Sequence, residues 1–285
     1  MNKNLKPIGT LFLDTWKLYK KHLNLLALVS VIPFIFAGVK MAIYRSEYVT
    51  SPLSAVCIVL VAAIFSVLYL VFVFALPLAV SEAINEVHNG KIPDVANVYT
   101  KVFKHLVQYL LVALFVAIVT IGGYMLFVIP GIIAGIYIAF AMYTYYFEHK
   151  KGMDALILSA WYVKGFWWDI LTRKIFLAII ILVALLAFVS VVGGIVLGLG
   201  FGFGVFTFLF DLFLFMVVLP FAMTFSYLLY KDVKSIKENS GHAEPTKAFI
   251  DEAENIFVGL LVIAAIALIV FFFLNAVPVP HLTVR

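Results

Sequence analysis

Polar positions in this chain are few and bunched, and long uninterrupted apolar stretches run between them. These stretches occupy roughly Leu23 to Val39, Leu53 to Val80, Leu106 to Ile129, Pro130 to Phe147, Ile175 to Val196, a sixth run ending near Tyr230, and Ile256 to Leu274. They are continuous over about 17 to 25 residues and do not alternate over about ten, which predicts spanning helices and not barrel strands. Three segments are patterned differently. Ile8, Leu11, Phe12, Tyr19 and Leu23 share one helical face while Lys17, Lys20 and Lys21 fall elsewhere. Val95, Val98, Tyr99, Val102, Phe103 and Leu106 repeat that one-sidedness, and Met153, Leu156, Ile157, Ala160 and Trp161 do so a third time. Helices with an apolar face and a basic face lie in the membrane interface. The predicted fold is all-α: a polytopic helical membrane protein of about seven transmembrane helices with three interfacial amphipathic helices.

Composition sharpens this picture. Hydrophobic residues make up 65% of the 285 and charged residues 12%, with a mean hydropathy of +1.13. Lipid is therefore the expected solvent, and there every backbone N–H and C=O must find a partner within the protein. The single Cys57 excludes an internal disulfide and a thiolate metal cage, and is expected only to pack. The first apolar run follows more than twenty residues and lacks a clean Ala-x-Ala site, so a retained first span is expected and not a cleaved signal peptide.

The formal net charge of +5 suggests nucleic acid until its placement is considered. Seventeen of the 20 Lys and Arg lie before the first run or after the second, fourth and sixth; the exceptions are Lys40, Arg45 and Arg285. The positive-inside rule then places the N-terminus in the cytoplasm and, with seven spans, the C-terminus outside a cytoplasmic (inner) membrane. The expected partners are anionic lipid headgroups of the inner leaflet, without nucleic acid; a protein partner or a homo-oligomer is left open. Lipid contact is assigned to Trp16, Lys20, Lys21, Lys101, Lys104, Trp161, Trp167 and Trp168, since Trp and basic residues favour the headgroup region.

Internal likeness organises the chain further. Trp16 to Leu23 aligns with Tyr99 to Leu106 at an offset of 83, sharing Lys-His-Leu; Leu78 to Gly90 aligns with Phe140 to Gly152 at 62; and Phe140-Ala141-Met142 matches Phe221-Ala222-Met223 at 81. Three copies of an interfacial helix followed by two spans are read from these matches, over approximate units 8–90, 91–152 and 153–237. A cytoplasmic linker, 238–255, and an extra helix, 256–275, complete the expected domains. Parallel repeats of this kind can surround a binding site.

Gly122-Gly123, the run Ile129-Pro130-Gly131-Ile132-Ile133, an aromatic span exit, the Gly152 turn, and Ala155 to Trp161 leading to Lys164-Gly165-Phe166-Trp167 together resemble the membrane domain of bacterial glycerophosphoryl diester phosphodiesterases. They also resemble related uncharacterised bacterial inner-membrane proteins that carry that domain alone. The resemblance covers roughly Ile8 to Lys237 and is most specific from Gly122 to Trp168. It implies fold and location. Some family members append a soluble phosphodiesterase barrel; these 285 residues leave no space for one, so no catalytic activity is carried over.

Candidate chemistry is sparse. Asp211 is the only carboxylate within an apolar run, and an intramembrane carboxylate is a proton or cation site by default, or else a helix-end residue near the interface. Glu82 and Glu86 share a helical face with the His88 imidazole nearby, an arrangement that could hold a metal, but a solvated helix end explains them better. His22 and His105 sit beside lysines at equivalent repeat positions, where headgroup contact accounts for them. Gly200, Gly202 and Gly204 lack the strand and aqueous phosphate that a nucleotide site needs. Helix bends are expected at Pro77, Pro130, Gly131 and Pro220. No catalytic residue, cofactor or metal is assigned. The expected function is a non-enzymatic membrane-organising or accessory protein. The alternatives are a transporter or lipid-translocating protein with a path between the repeats, and a lipid-directed hydrolase drawing on Glu148, His149, Asp154 or Asp169.

Overall fold

The computed structural model describes residues 5–44, 52–241 and 244–276; Lys3, Arg45 and Arg285, used above to orient the chain, lie outside the described residues. Among the described residues the regular elements are all helical. They are α1 (Ile8–Lys21), α2 (Leu23–Tyr44), α3 (Pro52–His88), α4 (Val95–Leu126), α5 (Val128–Tyr137), α6 (Ala141–Glu148), α7 (Met153–Val163), α8 (Trp167–Gly198) and α9 (Phe203–Phe213). A π-helical turn (Leu214–Val218), α10 (Leu219–Asn239) and α11 (Lys247–Ala276) follow.

The chain is a polytopic helical membrane protein by length and composition. Five described stretches can cross a bilayer: Val56–His88, Val95–Leu126, Val128–Glu148, Trp167–Gly198 and Phe203–Asn239. A sixth crossing arises if α1 and the first part of α2, bent by 78° at His22, count as one. The expected seventh span lies in α11, several of whose side chains fall outside the described residues.

Two of the three interfacial segments need correction. Only the first is a separate one-sided helix: α1 buries Leu11, Thr15 and Tyr19 and turns sharply into α2. The second buries Val98, Tyr99, Val102 and Leu106 as its spacing predicts, yet it continues unbroken as the first turns of α4. No Gly or Pro interrupts residues 95–121, so nothing stops the helix there. The third, α7, is buried at every position from Ala155 to Val163. Its charged neighbours, Asp154 and Lys164, lie before and after this run, so nothing confines burial to one stripe.

The chain packs as two compact units, Met1–Val107 with Leu171–Asp232, and Gln108–Ile170 with Val233–Arg285. These boundaries differ from the expected domains, and the expected linker 238–255 is helical at both its ends.

In the first unit α2 packs on α3, with Phe36 stacked on Phe72 at 5.0 Å, and Phe72 meeting Tyr99 and Phe103 edge-on. Prolines inside α2 and α10 remove N–H groups, and lipid offers no replacement for the bonds lost. Val29, four residues before Pro33, instead accepts a bond from the Tyr99 hydroxyl at 2.7 Å. Met216, four before Pro220, accepts one from the Tyr19 hydroxyl at 3.1 Å. Pro77 does not break α3. Its carbonyl accepts the Ser81 hydroxyl at 2.7 Å, and that of Pro220 accepts Thr224 at 2.7 Å.

In the second unit the break expected at Pro130-Gly131 falls at Phe127, whose backbone is extended (φ −175°, ψ 168°). Pro130 sits in the first turn of α5, where its missing N–H would have had no helical acceptor. The glycines pack. A Cβ on Gly122 would lie 2.2 Å from the Leu260 carbonyl oxygen, one on Gly123 2.9 Å from Gly131 Cα, and one on Gly131 2.4 Å from the Tyr124 ring. Close backbone approach is the usual role of small residues in membrane helix pairs. The turn between the fifth and sixth runs follows α8, which extends to Gly198, and Gly200 takes the positive φ of 76°.

Candidate functional site

The stretch Val128–Glu148 is interrupted by a turn over 138–140, inside what would be a single span. Ser159 of α7 repairs it. Its hydroxyl donates to the Tyr137 carbonyl at 2.8 Å and accepts the Phe140 N–H at 3.0 Å, with no exposure to the surroundings. Thr144 ties α6 to α7 through the Ala155 carbonyl at 2.7 Å. A hydroxyl that both donates and accepts can satisfy both orphaned backbone groups at once.

Alongside this repair, α5, α7 and α11 line a cavity of about 410 Å³. Its walls are apolar: Leu126, Pro130 and Ile133 on one side, Ile256, Phe257 and Leu260 on the other. Lys164 and Glu252 bring charge to its lining. Lys164 follows the last turn of α7, and its ammonium lies 4.6 Å from the Phe249 ring centroid and 5.9 Å from that of Trp161. The Lys237 ammonium lies 4.7 Å from the Trp161 ring and donates to the Lys164 carbonyl at 2.9 Å. Lys237 is only 9% exposed. Neither lysine has a carboxylate partner among the described residues. Their charges rest on aromatic faces and one carbonyl dipole.

The remaining charges of this unit are satisfied differently. Glu148 pairs with Lys234, which also reaches Glu238 at 3.5 Å. Burial holds the Tyr162 phenol above its ordinary value of 10.0, and the Glu148 and Glu238 carboxylates push it further the same way. His149 adopts a left-handed backbone (φ 57°) at the end of α6. Among the described residues, no three His, Cys, Asp or Glu side chains gather where they could hold a metal ion.

In the first unit, Asp211 lies half-buried in α9, three residues before the π-helical turn begins, within electrostatic range of Tyr69. Glu82 and Glu86 do not form a solvated helix end. Lys101 bridges both, at 3.0 Å to Glu82, with the Glu82 and Glu86 side chains only 10% and 12% exposed.

The residues assigned to lipid contact separate into exposed and enclosed groups. Trp16 is 48% exposed, Trp168 72%, and Lys20, Lys21 and Lys104 are also exposed. Trp161 is buried beneath the two lysines, and Trp167 is half-buried with its ring 4.6 Å from that of Trp168. Sequence reasoning passed over Lys164, Lys237 and Ser159. The first two enter there only as topology charges and within the family resemblance, and Ser159 stands unremarked in an apolar helix, where a lone hydroxyl is itself a signal of a backbone partner. No family model, no curated protein and no solved structure matches this chain.

Proposed function

We propose that the chain is an integral protein of a cytoplasmic membrane, with its N-terminus on the cytoplasmic side. In this reading it organises or senses inner-leaflet lipids without catalysing a reaction. The observation that carries it is α1, bent 78° from α2, with its buried face docked and Lys17, Lys20, Lys21 and Trp16 left exposed. A basic, aromatic helix at that angle to a span is suited to lie along anionic headgroups. The relation to the phosphodiesterase membrane domain is part of this proposal. The shared proline–hydroxyl pairs at Pro77–Ser81 and Pro220–Thr224 support internal repetition as well.

The test is reconstitution into vesicles containing a small fraction of fluorescent anionic lipid. Self-quenching around the protein, weakened when Lys17, Lys20 and Lys21 become Gln, is expected. Uniform anionic lipid with wild-type protein would sink the reading, and hydrolysis of phospholipid or glycerophosphodiester would replace it with the hydrolase alternative.

The transport reading draws on one further feature, the π-helical turn that begins three residues after Asp211, because such turns concentrate at functional sites. It predicts that Asp211→Asn abolishes solute or lipid flux across those vesicles while folding is preserved; flux equal to the wild type rejects it.

A further inference from the structure

Two ammonium groups held close together without a carboxylate form an electrostatically incomplete arrangement. The Lys164 and Lys237 ammonium groups lie 5.9 and 4.7 Å from the Trp161 ring centroid, and the Lys237 nitrogen also donates to the Lys164 carbonyl. Aromatic faces and a carbonyl soften this positive charge without neutralising it, and an anion at the Lys164 ammonium gains a charge-assisted bond that water or neutral groups do not supply. Lys164 and Glu252 line the same cavity and are exposed, Glu252 with no ion pair among the described residues; Lys237, beside Trp161 and outside the lining, tips the local charge to positive.

The cavity continues from this polar end along α11, from Phe249 to Leu260, a distance of roughly 16 Å at helical rise. Its volume of about 410 Å³ is in the range of pockets that enclose a ligand, and its walls away from the lysines are hydrocarbon. A small inorganic anion would leave those walls unfilled. A purely apolar molecule would leave the lysines unanswered. In a membrane protein the molecule at hand that joins a phosphate to a long hydrocarbon is the surrounding lipid itself.

We infer that this cavity is a binding site for one anionic phospholipid, with an acyl chain between α5 and α11 and the phosphate at Lys164, which lines it, while Lys237 adds positive charge from beside Trp161. The inference rests on the reading that the protein engages inner-leaflet lipids, and makes it specific to one site. Lys164 is the direct determinant, being exposed at the cavity, and the buried Lys237 acts through its charge. Glu252 faces the same rim and disfavours headgroups bearing additional negative charge.

Native mass spectrometry of the full chain, released from nanodiscs holding equal phosphatidylglycerol and phosphatidylcholine, provides the test. One retained phosphatidylglycerol per protein is expected, falling at least tenfold in Lys164→Gln/Lys237→Gln, while phosphatidylcholine adducts stay unchanged. Glutamine at 237 keeps a donor for the Lys164 carbonyl, and Lys164→Arg should retain the lipid, so a folding defect is separable from lost charge. A second variant, Ala253→Phe, places a ring in the cavity wall and should lower retention with both lysines present. Retention that survives every variant overturns this site while leaving inner-leaflet engagement standing. Equal retention of both lipids by the wild type overturns the anionic choice, and a second copy of the chain in place of lipid overturns the assignment altogether.

Discussion

At the scale of single residues, hydroxyl groups do work that water performs in soluble proteins. Tyr99 donates to a carbonyl that Pro33 leaves without its helical partner, and is 5% exposed. Tyr99→Phe should therefore cost about 1–3 kcal/mol, the usual consequence of an unsatisfied buried acceptor. Pro33→Ala should recover part of that loss, because the helix then supplies its own N–H; denaturation in mixed micelles as a double-mutant cycle measures the coupling. Additive effects would show that the bond contributes nothing. Tyr162 offers a pH readout. With its folded pKa raised above the ordinary 10.0, the unfolded chain loses this proton first as pH rises, so stability is full below about pH 10 and declines above it. Tyr162→Phe should flatten that alkaline decline in a melting-temperature series. An unchanged slope would mean that other groups govern it.

At the scale of elements, the sequence conveyed the positions of the helices better than their breaks. Hydrophobic runs located every described span, because lipid demands long helices and little else satisfies their backbones. Pro130 misplaced the hairpin by about a turn, since a proline in the first turn of a helix marks its start, and the extended residue is Phe127. Burial of α7 was illegible for a related reason: periodicity reports which face of a helix differs, and α7 has no differing face. The lysine pair was missed because Lys164 and Lys237 are 73 residues apart and meet only through packing around Trp161. Glycine was better read. Gly122→Ala would drive a methyl against the Leu260 carbonyl and should destabilise by about 1–3 kcal/mol through forced separation of α4 and α11. Gly135→Ala, with nothing within 4 Å of the new carbon, should be neutral or stabilise by up to about 1 kcal/mol. Thermal unfolding of the two variants side by side checks the contrast.

At the scale of the whole molecule, orientation is the most consequential proposal, because every assignment of headgroup contact depends on it. Single-cysteine labelling in sealed vesicles, in a Cys57→Ser background, should modify Lys17→Cys, Lys91→Cys and Lys151→Cys from one side only. Labelling of these positions from opposite sides would break the common cytoplasmic surface. The repair at 138–140 bears on how such a chain comes to be built. The N-terminal part of a protein leaves the ribosome first, and Ser159 follows the turn it serves by about twenty residues. Until α7 emerges, Tyr137 and Phe140 hold backbone groups that hydrocarbon cannot accommodate, so the fourth crossing should linger in the insertion machinery and not pass into the bilayer on its own. Nascent chains arrested so that only residues up to Gly152 are exposed should remain crosslinked to the translocon, whereas chains exposed beyond Ser159 should be released together with it; the timing of membrane entry would then be written into a single serine.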